Sequence, residues 1–245
     1  MPRPVKSSIS LLMVALSFCA IGVSAHYFAA KAVAEALETS VLIASEAANE
    51  DLTKLFINEV YDSLDSRLQL NADLQQQTER LSQEDYNSIN SRISEFMLGT
   101  DFLKIKIYNL RGITLYSSDP RQLGSDYSQN TGFVTASRGV PFSLVELRSE
   151  FNGYSGVVYN RDVVSSYVPI RLGAGAGSVN GRIIGVAEVY TDRTTQMNAV
   201  RDTASAYSLA IAIALLLLAT FSAATVWYLS ISISERYIND LEAQE

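Results

Sequence analysis

Cysteine and histidine each occur once in this 245-residue chain, as Cys19 and His26. A single cysteine excludes an intrachain disulfide. One cysteine and one histidine cannot build a Cys/His zinc centre or a histidine-based nucleophilic triad. Basic residues are outnumbered: 19 Lys and Arg stand against 26 Asp and Glu, for a net charge of −7. Nucleic acid is therefore not an expected partner, because phosphate backbones need clustered Lys and Arg. Proline is scarce, with five in the chain, and neither proline nor glycine occurs from Val23 to Leu98. Formal charge is missing from two stretches, Ser7–Ala30 (with His26 neutral) and Thr203–Ser234.

Each uncharged stretch exceeds the roughly 20 residues that cross a bilayer as helix. The second, densest at Leu209–Val226, is apolar on every face, unlike the helix of a soluble core. The first follows Arg3 and Lys6. Its "VSA" before His26 also fits a cleavable signal peptide, but the helical pattern continues past it, which favours an uncleaved anchor. Basic residues near the N-terminus place that end in the cytoplasm. Two spans then return the C-terminus there and leave residues 31–205 outside, as in a two-pass membrane protein.

Beyond the first span, Leu37, Val41, Ala44, Ala48, Leu52, Phe56, Val60, Leu64 and Leu68 recur at steps of three and four. This predicts one long helix to about Gln75, with a stripe that must cover a partner chain, a sheet, or both. Ser82, with Asp85 three residues on, marks the start of a second helix ending at Gly99. The period then changes to two. "FLKIKIYN", "ITLYS", "PFSLVELRSEF", "YSGVVY" leading to "VVSSYVPIR", and "GRIIGVAEVYTD" read as antiparallel strands. Turns are expected at Gly112 and Asn152-Gly153, and a short helix around Phe133–Ser137. Helices followed by about five strands make an α+β fold.

Two phrases, "KIKIYNLRGITLYSSDPRQLGSD" and "SSYVPIR…GRIIGVAEVYTDRT", in this order between two spans, resemble the single Cache domains, PAS-like sensor modules outside the cytoplasm in bacterial receptors. The resemblance covers Asp101–Arg193. It implies a long N-terminal helix packed on a five-stranded PAS-like sheet, and the input half of a histidine kinase, diguanylate cyclase or chemoreceptor. The organisation implied is a cytoplasmic N-terminus (1–8), a first span (9–30), outer helices (31–100), the sensor sheet (101–193), an exit helix (194–205), a second span (206–230) and the start of a signalling helix (231–245). No ligand-binding motif of the family is present, so no ligand carries over.

"GAGAG" (Gly173–Gly177) lacks the third glycine of a dinucleotide loop, since Ser178 stands there, and it joins strands, not a strand to a helix. It reads as a hairpin tip. His26 reads as a polar residue at the membrane edge. The carboxylate pairs Glu146/Glu150 and Asp119/Asp126 read as solvated. No catalytic residue, metal site or cofactor is expected.

In the first strand, Leu103, Ile105 and Ile107 should face the long helix, leaving Lys104, Lys106 and Tyr108 on the opposite face. With Tyr116, Arg148 and Tyr167 from neighbouring strands, Lys106 and Tyr108 are the candidate ligand-binding residues, if register brings them to one face. Such a pocket suits a small organic anion or an amino acid. The expected function is a sensor that binds a ligand outside and passes a displacement through the second span, as a homodimer through the long helix. The alternatives are a membrane-anchored accessory protein without an output domain, and an extracytoplasmic hydrolase, for which no nucleophile–base pair is available.

Overall fold

Residues 3–68, 70, 81–172 and 181–242 are described in a computed structural model; within its helices the side chains of 3–16, 18, 19, 59–66, 233, 234 and 237–242 lie outside that description. The elements are α1 (Arg3–Leu68), α2 (Gln83–Met97), β1 (Phe102–Tyr108), β2 (Thr114–Ser117), α3 (Thr131–Ser137), β3 (Phe142–Gly153), β4 (Gly156–Leu172), β5 (Arg182–Asp192) and α4 (Thr194–Glu242). The chain divides into two compact units, one of residues Met1–Leu37 with Ala199–Glu245 and one of Glu38–Asn198.

The second unit carries an antiparallel sheet in the order β2-β1-β5-β4-β3. This is the α+β arrangement expected from the sequence, a long helix followed by five strands. Its largest core cluster lies on one sheet face. Ile105 and Ile107 of β1 pack with Phe56 and Ile57 of α1 and Ile89, Ile93 and Met97 of α2. Burying each such side chain contributes about 1.5–3 kcal/mol. Ser82 caps α2 by accepting the Asp85 amide at 3.1 Å, as the sequence predicts.

Three expectations about local structure are corrected. The long helix α1 ends at Leu68, not Gln75, and residues 71–80 lie outside the description. The β3–β4 hairpin turns at Tyr154-Ser155, because Gly153 pairs with Gly156, so Asn152-Gly153 still belongs to the strand. Leu103 does not join Ile105 and Ile107: the register shifts between Phe102 and Lys104, and Leu103 packs beside Phe151, Val163 and Tyr190. The "GAGAG" tip falls outside the described residues.

The α1 stripe is rotated by about one residue from the apolar pattern. The side chains turned to the sheet are Ser45, Asn49, Thr53, Phe56 and Ile57, all buried. Ala44 and Ala48 are exposed, and Leu52 is half-buried; Val60 and Leu64 lie outside the described side chains. The polar choice at Ser45 and Asn49 has a cause on the sheet, given below.

In the first unit, the start of α1 lies beside α4: His26 Nε2 is 3.3 Å from Ser208 Oγ. Among the described residues one helical stretch, Thr194–Ser232, is long and apolar enough to cross a membrane. Half of the side chains of the other uncharged stretch lie outside the description.

Candidate functional site

On the sheet face away from α1 and α2, register aligns one row across four strands. Lys106 pairs with Glu188, Glu188 with Tyr167, and Tyr167 with Phe142. Lys106 and Glu188 are both almost wholly buried, at 2% and 1% exposure, and their charged groups are 3.1 Å apart. Lys106 Nζ also reaches the Tyr190 hydroxyl at 2.9 Å and the Tyr127 hydroxyl at 3.4 Å. The Tyr108 hydroxyl donates to Glu188, and Tyr167 lies on the same row, paired with Glu188 across the sheet. Glu188 thus collects an ammonium and a phenol, which is how a charge is kept inside a protein.

Burial, and then the charge of Glu188, push the phenols of Tyr108, Tyr167 and Tyr190 well above the usual tyrosine range. They remain neutral donors under all physiological conditions.

Two lids close this face. The first is α3, whose start is fixed by Asn130 accepting the Phe133 amide at 3.0 Å. It packs Phe133 and Ala136 on Tyr108, Tyr167 and Val186. Gly132 permits that approach, since a Cβ there would lie 2.3 Å from the Tyr167 ring. The second lid is the β3–β4 hairpin tip. Although β3 is the far edge strand, the Tyr154 amide donates to Leu103 O of β1 at 2.8 Å. The tip therefore crosses β5 and lays Phe151 on Tyr190, with ring centroids 5.1 Å apart. Between the lids sits Lys104, 4% exposed. Its ammonium lies 4.6 Å from the Phe151 ring centroid and 5.9 Å from that of Tyr190. No hydrogen bond or ion pair to Lys104 Nζ is present among the described residues. Burial, and then the nearby Lys106 charge, hold its pKa below the ordinary 10.5.

The face therefore carries two ammonium groups, Lys104 and Lys106, against one buried carboxylate, Glu188. The excess of one positive charge is electrostatically suited to an anion. A consequence for stability follows from Lys104. The unfolded chain binds the proton more tightly than the folded one, so stability should rise with pH across the window between the lowered pKa and 10.5. Lys104→Met should remove that part of the slope in thermal melts taken from pH 7 to 10. An unchanged slope would show that Lys104 is solvated.

The candidate residues divide. Lys106, Tyr108 and Tyr167 come together. Tyr116 does not: the register shifts between Ile107 and Tyr108, so Tyr116 pairs with Ile107 and faces the helices. There it stacks on Tyr86 and donates to Asn90 at 2.9 Å. Arg148 is six residues along β3 from Phe142, about 20 Å at strand spacing, and forms an exposed ion pair with Glu146 on its own strand. Glu188, Tyr190, Tyr127 and Lys104 were not among the candidates. The available signal was a lone acid inside the apolar strand "IIGVAEVY", which calls for a buried partner.

The opposite face of the same two strands carries a polar clasp. Ser166, next to Tyr167, and Thr191, next to Tyr190, both accept from Asn49 Nδ2, at 2.9 and 3.1 Å. Arg193, one residue before α4, donates to Ser45 Oγ at 3.1 Å and Asp101 at 2.8 Å. These partners explain the polar face of α1. Helix α4 starts at once: Asp192 accepts the Thr194 amide at 2.9 Å, and Thr194 Oγ1 accepts the Asp162 amide at 3.0 Å. Among the described residues no group of three His, Cys, Asp or Glu side chains is placed to hold a metal ion.

No family model matches the chain, and no curated protein matches it. Solved structures similar to it include the periplasmic domain of RsbU from Chlamydia trachomatis, with a TM-score of 0.43 and 16% identity over 79% of this chain and 59% of that one. The sensor domain of the V. cholerae histidine kinase DctB aligns with a TM-score of 0.31 and 12% identity over 80% and 59%. The ligand-binding domain of the Campylobacter jejuni chemoreceptor Tlp3, in complex with L-valine, aligns with 0.33 and 14% over 69% and 66%. The chain spans 59% of the length of the first two.

Proposed function

We propose that this chain is the sensing portion of a two-pass receptor in a bacterial inner membrane, with the single Cache, PAS-like domain outside the cytoplasm. The observation that carries the reading is the continuity of β5. Its Glu188 anchors the buried charge cluster, and four residues after that acid only Arg193 separates the strand from the apolar helix α4. A small organic anion or amino acid held by Lys104 and Lys106 would compete with Glu188 for Lys106 and move β5, and with it the start of α4. A signal of this kind needs two states that differ in ligand affinity.

Binding is tested on the full chain in lipid discs by thermal shift against C2–C6 organic acids and the common amino acids. At least one compound should raise the melting temperature, and Lys106→Met should abolish the rise. A response that is the same in Lys106→Met would place the ligand elsewhere.

Topology is tested by Ser125→Cys in a Cys19→Ser background. An impermeant maleimide should label it in intact spheroplasts, and labelling only after lysis would reverse the orientation. A homodimer through α1 belongs to the same reading. Leu55 is 61% exposed, and Ala48, seven residues earlier and so on the same helix face, is exposed as well. In the Cys19→Ser background Ala48→Cys should form a disulfide dimer in native membranes. Failure of every position from 37 to 55 to crosslink would remove α1 as the contact.

A further inference from the structure

A cavity of about 170 Å³ lies on the other side of the sheet, where α1 passes the end of β4 and the loop before β3. Ile57, Pro141, Val168 and Ile170 give it apolar walls, and Thr53 and Arg171 line it as well. Thr53 spends its hydroxyl on its own helix, donating to Asn49 O at 2.6 Å. Glu50 and Lys54, also on the lining, neutralise one another at 2.9 Å.

Arg171 is different. Its guanidinium is held by two neutral groups, donating to Gly181 O and to Gly139 O, each at 3.1 Å. No carboxylate pairs with it among the described residues. Gly139 lets it lie close to the backbone, since a Cβ there would come 2.5 Å from the guanidinium nitrogen. The result is an immobilised cation with no counter-ion among the described residues, at the edge of a chamber with both apolar and polar walls. A planar fork of donors fixed in this way suits a carboxylate.

We propose that this cavity is a second ligand site, for a short aliphatic monocarboxylate whose carboxylate sits on Arg171 and whose chain lies against Ile57, Val168 and Ile170. The volume equals about six waters at roughly 30 Å³ each, which matches an acid of four or five carbons. An amino acid is disfavoured because the one carboxylate on the lining, Glu50, is already paired with Lys54. The site shares no residue with the Lys106–Glu188 cluster and does not depend on that cluster binding anything.

The experiment is calorimetric titration of the full chain in lipid discs with butyrate and isovalerate, with butyramide as the uncharged control. Both acids should bind and butyramide should not. Arg171→Gln should weaken the acids by about ten-fold or more, the loss of a charge-assisted pair. Thr53→Leu, which fills the chamber and leaves Arg171 in place, should weaken them as well and decides the matter if Arg171→Gln fails to fold. Arg148→Ala, in an exposed ion pair on β3 away from both sites, should leave them unchanged. Absence of binding by the unaltered chain, equal binding of butyramide, or unchanged affinity in Thr53→Leu would overturn the proposal.

Discussion

Glu188→Ala is expected to destabilise the sheet unit by about 3–5 kcal/mol, because it leaves the Lys106 ammonium buried without its counter-charge. For a unit of this size that corresponds to a fall in melting temperature of roughly 6–20 °C. Glu188 also accepts from the Tyr108 hydroxyl, so a buried phenol loses its acceptor as well. The double variant Lys106→Met/Glu188→Leu should recover most of the loss, since an apolar pair of similar volume removes the unpaired charge. Glu188→Leu, Lys106→Met and the double variant close a cycle whose melts measure the coupling directly. If Glu188→Ala melts within about 1 kcal/mol of the unaltered chain, water reaches the cluster and the face is open, not closed.

Arg193→Met carries the second large effect. Arg193 is 8% exposed and ties the end of β5 to Ser45 of α1 and to Asp101 before β1. Losing its hydrogen bonds should cost about 1.5–3 kcal/mol for the charged contact. The more informative consequence concerns transmission. Tyr167 and Tyr190, on the face of the charge cluster, alternate with Ser166 and Thr191, which hold Asn49 on the back of the same strands. The proposed signalling route is that a displacement of β4 or β5 reaches α1 and the start of α4 together. In Arg193→Met, ligand binding should persist while any ligand-dependent change in crosslinking between α4 helices of two copies, read at Ser205→Cys, disappears. A full ligand response in Arg193→Met would show that the clasp is structural only.

Much of this arrangement was legible in the sequence. Alternation in "FLKIKIY" placed Ile105 and Ile107 against the helices and left Lys106 and Tyr108 opposite, because a strand has a period of two. Ser82 and Asp85 announced the start of α2. What alternation could not supply was register. One shift between β1 and β2 sends Tyr116 to the helix side, and a single-residue slip reverses every later side chain. The helix stripe was misplaced for a related reason. Apolar periodicity points a helix toward whatever is apolar, but here Ser166, Thr191 and Arg193 ask for polar partners, and Ser45 and Asn49 answer them. Glu188 escaped because a lone acid in a strand reads as exposed until its partners are known. The crossing of the hairpin tip over β5 depends on a contact between Leu103 and Tyr154, residues far apart in the chain, and no local pattern announces it.

The central claim is that an anionic ligand on the Lys104/Lys106 face moves the start of α4. The most direct measurement is pulsed electron–electron resonance on the full chain in lipid discs, with one spin label at Ser205→Cys in a Cys19→Ser background and a compound that raises the melting temperature. The account predicts that the ligand shifts the distance distribution between the two labels of a dimer, and that Lys106→Met abolishes the shift. A bound ligand that leaves the distribution unchanged, at a concentration that saturates the thermal response, would contradict it.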